Sequence, residues 1–169
     1  MIEQVILVDQ NDKQIGVMEK MEAHRQGLLH RAFSIFLIND RAEMLLQQRS
    51  LKKYHSGGLW TNACCSHPKP GEATEHAAER RLREEMGVVC DLDPIFQFSY
   101  KSSLDNGLSE HEFDHVYIGK FNGVPVVNEQ EVLDWKYLSI QVIQEELKNN
   151  PQIYSFWFKI AFPKLMPFI

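Results

Sequence analysis

The chain has 169 residues, 44% of them hydrophobic, and a formal net charge of −5, which is enough for one domain with a sizeable core. No apolar run approaches the roughly 18 residues of a membrane span. The acidic balance argues against broad nucleic-acid or anionic-membrane binding, so any anionic ligand has to meet a local cluster of basic side chains.

Gln4 to Asp9 predicts a strand, Asn11-Asp12-Lys13 a turn and Gln14 to Val17 a short return strand. The opening MIEQVILVDQNDKQ carries neither a basic region nor a small-residue cleavage site, and a cytoplasmic location is expected. Arg31 to Ile38 and Met44 to Gln48 flank the polar turn Asn39-Asp40-Arg41 as a second antiparallel pair. Leu59 to Cys64 is a short apolar run after Gly57-Gly58. The pattern turns helical from Ala73 to Met86, with Gly87 as the stop. Pro94 to Ser102 and Glu112 to Phe121 bracket Asp105-Asn106-Gly107 as a long hairpin, and Glu131 to Leu138 is a further strand. Ser139 to Lys148 and Tyr154 to Leu165 read as terminal helices separated by Pro151, the second breaking early at Pro163. This order predicts one α+β domain, a mixed sheet packed between helices.

Cys64, Cys65 and Cys90 are too few, and odd in number, for a disulfide framework and read as free thiols. Successive side chains on a strand alternate faces, so the thiols of Cys64 and Cys65 are not expected to share one pocket. On the helical period, Ala78, Leu82 and Met86 form the apolar stripe, and Arg81 and Glu85 border it. Such a pair can be an ordinary i,i+4 ion pair on a solvated face, but its place beside the core points to a polar site.

Glu72 to Val88, EATEHAAERRLREEMGV, resembles the Nudix box, with Glu72, Arg80, Leu82, Glu84, Glu85, Gly87 and Val88 on matching positions. Two positions depart from it. Ser66 stands where the box begins with glycine, and Arg81 stands where the hydrolases keep a metal-binding glutamate. A guanidinium there removes a metal ligand and adds a bidentate phosphate donor, so the box is expected to grip a diphosphate without cutting it. Thr61-Asn62-Ala63-Cys64-Cys65-Ser66-His67-Pro68 is similar to the motif of one Nudix branch, the type 1 isopentenyl-diphosphate isomerases. Met18-Glu19-Lys20 ahead of His24, Glu110-x-Glu112 and a late Tyr-Ser-Phe-Trp extend the resemblance over nearly the whole chain.

The resemblance implies interconversion of isopentenyl and dimethylallyl diphosphate by protonation and deprotonation through a tertiary carbocation-like state. It implies a first metal held by His24, His30, His67, Glu110 and Glu112, a set that suits Mn²⁺ or Zn²⁺ better than Ca²⁺. An octahedral shell would leave one further position. Lys20, Arg49, Lys53 and Arg81 match the basic positions that contact diphosphate, and Glu85 would hold Mg²⁺ against it. Cys65 matches the catalytic cysteine and Glu112, acting with Tyr100, the catalytic carboxylate. Protonation of the terminal alkene is expected from the Glu112 and Tyr100 side and deprotonation by Cys65, a thiol whose acidity a neighbouring cation shifts. Trp157 resembles the aromatic placed over the hydrocarbon. His55, His76, His111 and His115 match no ligand position and read as structural, Asp114 as an unused carboxylate, and Trp60 and Trp135 as core or pocket wall.

A nucleotide-type diphosphohydrolase is the first alternative, which Arg81 disfavours. A binding domain without catalysis is the second, needing no complete acid, base and metal set. No flavin is expected, because the flavin-dependent isomerases use a barrel of about 250 residues. The partner expected is a small-molecule diphosphate, with no nucleic acid, no membrane, and a monomer or weak homodimer.

Overall fold

The computed structural model describes residues 1–169. Strands β1 (Gln4–Val8) and β2 (Gln14–Glu19) form the first hairpin, followed by helix α1 (Lys20–Gln26). Strands β3 (His30–Ile38), β4 (Glu43–Arg49), β5 (Trp60–Thr61) and β6 (Cys64–Ser66) precede helix α2 (Thr74–Met86). The hairpin β7 (Leu92–Ser103) and β8 (Ser109–Lys120), strand β9 (Val132–Ser139) and helices α3 (Ile140–Asn149) and α4 (Phe156–Leu165) complete the chain. No helix is long and apolar enough to cross a membrane.

The mixed sheet is organised on β3. It pairs β8 in parallel from His30 opposite Glu112 to Ile38 opposite Lys120, and β6 antiparallel with Ser34 opposite Cys65. The β7/β8 hairpin sets Tyr100 opposite Glu112. These registers bring residues from four distant stretches of sequence to one place, because a cross-strand pair holds its Cβ atoms about 5 Å apart.

Each face of the sheet has its own core. Phe33, Ile35, Leu37, Leu45 and Cys64 pack against Ala77, Ala78, Leu82 and Met86 of α2. Phe36, Met44, Leu46 and Val116 pack against Phe158, Ala161, Phe162 and Leu165 of α4. The α+β sheet between helices is therefore as expected, and α2 ends where predicted, with Gly87 in the left-handed conformation (φ 63°).

Three local expectations are corrected. The stretch ahead of His30, for which the sequence predicts no element, contains α1, whose first turn is capped by the Glu19 carboxylate accepting from the N–H groups of Met21 and Glu22 at 3.0 and 2.9 Å. Gly27 stops it with a left-handed φ of 62°. The run Leu59 to Cys64 is not one strand: β5 and β6 are separated at Asn62, whose side-chain amide donates to Ile35 O and Cys64 O at 3.0 Å each. Helix α4 starts at Phe156 on a Ser155 cap and continues past Pro163 to Leu165. Pro163 falls in its last turns, where one missing N–H breaks little of the helix.

Candidate active site

On β8 the buried side chains alternate with the partly exposed ones, and the buried ones are Glu110, Glu112 and Asp114 followed by Val116. Three carboxylates on the inward face of a strand is the reverse of ordinary patterning, since buried charge is expensive unless paired. Their partners come from all sides. Tyr100 Oη donates to Glu112 Oε2 at 2.7 Å, His67 Nε2 donates to Glu112 Oε1 at 2.8 Å, and Ser34 Oγ donates to Asp114 Oδ2 at 2.7 Å.

His24, His30, His67 and Glu112 each offer a ligand atom within 4.8 Å of the others, all four buried. Local carbonyls fix two of these rings: His24 Nδ1 donates to Lys20 O at 2.7 Å and His30 Nδ1 to Leu28 O at 2.8 Å. A carbonyl can only accept, so each Nδ1 carries the proton and each Nε2 keeps a lone pair. Both Nε2 atoms are buried and without a hydrogen-bond partner, as is His67 Nδ1. The orphaned Nε2 lone pairs of His24 and His30, grouped with His67 and the Glu112 carboxylate, are what a divalent cation satisfies, and the donor set fits one. Burial pushes His24 down to about 4 and His67 to about 3, so both rings are neutral, the form that ligates.

Glu110 does not join the tight foursome; with His24 it makes a second group whose third member is His55. His55 was read as structural, yet it is buried and its Nε2 lies 3.2 Å from Glu110 Oε1. Burial and the neighbouring Glu112 charge raise Glu110 well above the carboxylate range. Burial acts to raise Glu112 as well, but the surrounding histidines, with His67 Nε2 as the bonded donor, outweigh it and hold that carboxyl well below the usual range. His111 and His115 stay outside, bonded to Gly27 O and Asp12 at 3.0 and 2.8 Å.

Cys64 and Cys65 diverge as strand parity requires. Cys64 is buried in the core under α2. Cys65 faces the other way, where its Sγ accepts from Trp157 Nε1 at 2.9 Å, donates to Asn62 Oδ1 at 3.0 Å and lies 3.6 Å from Ser34 Oγ. Burial, with Asp114 beneath it, pushes the Cys65 thiol up to about 12. Desolvation and a carboxyl neighbour both disfavour thiolate, while the Arg49 cation acts the other way. Asp114, noted as unused, is thus part of the cysteine's surroundings. Trp60 and Trp135 pack on the two cores, away from the thiol.

Cys65, Glu110, Glu112, Trp157, Tyr54 and His55 line a cavity of about 30 Å³. Arg49 lines it too, donating to His55 O at 3.1 Å with its guanidinium 5.0 Å from the Trp157 ring centre. Arg49 therefore sits at this inner cavity and not among the other predicted basic residues. Those line an adjoining pocket of about 490 Å³, where Lys20, Lys53 and Arg81 are joined by Lys52, Lys69 and Arg80, against the acids Glu3, Glu84 and Glu131. Tyr54, Ser66 and His67 belong to both cavities. Arg80 stands on a matching position of the box, while Lys52 and Lys69 are isolated surface cations that carry no periodic signal.

The basic residues are tied to carboxylates. Arg81 donates to Glu84 Oε2 at 2.7 Å and Glu85 Oε1 at 2.5 Å, and its Nη2 lies 3.4 Å from Glu131. Lys53 pairs with Glu131 and lies 3.8 Å from Glu85, and Lys20 donates to Glu3 at 3.1 Å. Glu85 also accepts from Gln47 Nε2 at 3.0 Å, so both its oxygens are engaged. The largest cavity, about 900 Å³ and mostly apolar, lies at Leu82, Val88, Cys90 and the C-terminal Ile169, remote from Cys65 and from the metal-binding candidates.

A NUDIX domain model matches residues 28–158. The Isopentenyl-diphosphate Delta-isomerase of Pectobacterium atrosepticum is 52% identical over 96% of this chain and 90% of its own length. Isopentenyl-diphosphate Delta-isomerase 1 of Aromatoleum aromaticum is 51% identical over 98% of this chain and 94% of its own. Among solved structures, a Deinococcus radiodurans protein superposes with a TM-score of 0.81 at 20% identity, covering 96% of this chain and 98% of that one. A MutT protein from Methanosarcina mazei follows the same fold with a TM-score of 0.68 at 17% identity, over 82% and 94%.

Proposed function

The chain belongs to the NUDIX-domain family, in its isopentenyl-diphosphate Delta-isomerase branch, and from that premise we propose how its residues interconvert isopentenyl and dimethylallyl diphosphate in isoprenoid biosynthesis. The observation that carries the reading is the pair of adjoining cavities, a basic one for the diphosphate and an inner one lined by Cys65 and Glu112 for the hydrocarbon.

Moving the double bond requires one proton added to one carbon and one removed from another. Cys65 on one side and Glu112 with Tyr100 on the other are the two proton-transfer groups. For the forward reaction Glu112 with Tyr100, whose hydroxyl donates to it at 2.7 Å, protonates the terminal alkene, and Cys65 receives the proton released, which requires its thiolate, the form a bound cation favours. The opposite turnover uses the groups in exchanged roles. Trp157 is the aromatic face against the developing cation, worth about 2 kcal/mol when desolvated.

His24, His30, His67, Glu110 and Glu112 would hold the first metal, Mn²⁺ or Zn²⁺. When bound it supplies a fixed positive charge that lowers the proton affinity of the carboxylates beside it. In the outer pocket Lys20, Lys53 and Arg81 bind the diphosphate, with Arg49 at the junction with the inner cavity. Arg81, now bonded to Glu85, would turn to the phosphate oxygens, and Glu85 would then be free to hold Mg²⁺. The guanidinium in place of a Nudix carboxylate leaves diphosphate gripped and not hydrolysed. We further assign a single domain over 1–169, no flavin, a cytoplasmic setting, and a monomer or weak homodimer.

Incubation with isopentenyl diphosphate and Mg²⁺ in D₂O, followed by NMR, tests the assignments. Dimethylallyl diphosphate carrying deuterium is expected, without phosphate release, and Cys65→Ala is expected to abolish it. Phosphate release without isomerised product, or unchanged turnover by Cys65→Ala, would overturn them.

A further inference from the structure

We propose that His55 is a further imidazole ligand of the same metal centre, so that four histidines and not three hold the ion. The inference rests on the metal centre proposed above and extends it to a residue that no family motif singles out.

His55 sits between β4 and β5 in the tight stretch Tyr54-His55-Ser56-Gly57-Gly58. Arg49 Nη2 donates to its carbonyl at 3.1 Å, and Gly58 N–H donates to Arg49 O at 2.9 Å, so the loop is pinned to the end of β4. Ser56 takes a φ of 53° to turn the chain there, a conformation that disfavours a side-chain-bearing residue by about 1–2 kcal/mol. The ring is 4% exposed. A strained loop that buries an imidazole among carboxylates contributes nothing obvious to stability.

Nδ1 lies 3.1 Å from Ser56 Oγ, a hydroxyl that accepts from an N–H or donates to a lone pair, so the tautomer with a free lone pair on Nε2 is open to this ring. That Nε2 is buried and makes no hydrogen bond, although Glu110 Oε1 is 3.2 Å away. The contact is close but badly directed for an N–H to carboxylate bond. It is the spacing of two neighbouring ligands on a shared cation, because bonds of about 2.1 Å at right angles put ligand atoms about 3 Å apart. His30 Nε2 and Glu112 Oε1 stand at 3.6 Å in the same manner. His24 belongs to both candidate groups, joining His55 and Glu110 to His30, His67 and Glu112. Glu110 Oε2 has no partner either. Four imidazoles and two carboxylates are the six donors an octahedral shell needs; they stand as two groups overlapping at His24, which one ion would draw together, so the position that three histidines leave open is filled by the protein. The diphosphate then meets its metal only in the outer pocket, and the nitrogen-rich inner set favours Co²⁺ or Zn²⁺ over Mn²⁺.

One equivalent of Co²⁺ bound to the intact protein tests this by paramagnetic proton NMR, since each ligating imidazole keeps one exchangeable N–H shifted far from the diamagnetic range. Four such resonances are expected from the wild-type chain. In His55→Ala one resonance is lost and Co²⁺ affinity falls at least about tenfold. The wild-type count does not depend on how the variant folds. Three resonances, with the same three and unchanged affinity in His55→Ala, would overturn the assignment of His55 and leave the centre standing. A wild-type protein with no shifted imidazole resonance would remove the centre itself.

Discussion

Substituting Arg81 and Glu85 singly and together separates what this pair does for the fold from what it does for the ligand. Glu85 is 2% exposed and receives Arg81 at 2.5 Å and Gln47 at 3.0 Å. Arg81→Met leaves that carboxylate buried, with Lys53 at 3.8 Å as its remaining cation. Stranding one partner of a buried pair costs about 3–5 kcal/mol, and Lys53 offsets part of it, so about 3 kcal/mol is expected. For a chain of this size that lowers Tm by about 6–12 °C. Glu85→Met should cost less, about 1–3 kcal/mol, because Arg81 keeps Glu84 at 2.7 Å and Glu131 at 3.4 Å. In the double variant no charge is stranded and Gln47 still donates to Ala63 O at 2.6 Å. Replacing a whole buried pair by apolar residues of similar volume is near neutral, so the double variant should recover at least about 2 kcal/mol relative to the sum of the singles. Denaturant melts of the four proteins give the coupling. Turnover should not recover: the double variant folds but lacks its diphosphate donor, and Arg81→Lys, which keeps the charge, loses less in KM than Arg81→Met. Additive stabilities, or full activity in the double variant, would refute the reasoning.

Cys64→Ala should cost about 1 kcal/mol of stability through lost core packing with turnover kept, whereas Cys65→Ala should reduce turnover by at least about 10²-fold; similar activity in both would break the assignment. The inner cavity of about 30 Å³ is close to one water's share of liquid volume, so a five-carbon chain enters only if the packing around Trp157 shifts. In a protein with Trp60 and Trp135 replaced by Phe, saturating isopentenyl diphosphate should therefore change the fluorescence, and an unchanged spectrum would contradict this. The two Arg80 bonds at 2.7 and 2.8 Å, outweighing its modest burial, hold the Glu72 carboxyl below 4.5. The stabilisation is complete above the unfolded value and is lost as pH falls through the lower folded value. Glu72→Gln should thus be less stable by about 1 kcal/mol at pH 7, with the gap to wild type closing as the pH falls below the usual carboxylate range; a gap independent of pH would show that the bond is not ionic.

What was legible in the sequence followed from period and parity. The apolar positions Ala78, Leu82 and Met86 predicted the buried stripe of α2, and alternation placed Glu110 and Glu112 on one face and separated Cys64 from Cys65. Helix α1 left no such trace: its seven residues, KMEAHRQ, bury only Ala23 and His24, and its cap is a glutamate and not one of the usual short side chains. His55 was illegible for a related reason. It lies in a glycine-rich loop, where spacing says nothing about which side chain turns inward, and only the closure of that loop over β8 reveals it. The partners of the basic residues were hidden too, since Glu131 reaches Lys53 and Arg81 through the fold and not through any local pattern.

The buried acids of β8 explain why the chemistry and the fold can share one sheet. A strand carrying Glu110, Glu112 and Asp114 inward cannot be stabilised by apolar contacts along that stretch, so its stability comes from Val116 onward, where it joins the core against α4, and from nine residues of parallel pairing with β3. The polar half is then free to differ from residue to residue. Glu112 is ionised by the two histidines it meets, while Glu110 and Asp114, lacking an equivalent donor set, are pushed toward their neutral forms. Adjacent positions on one face therefore differ in proton affinity. That asymmetry is set by cross-strand neighbours and not by residue type, and it gives the small cavity two proton-transfer groups, Cys65 and Glu112, of different affinity.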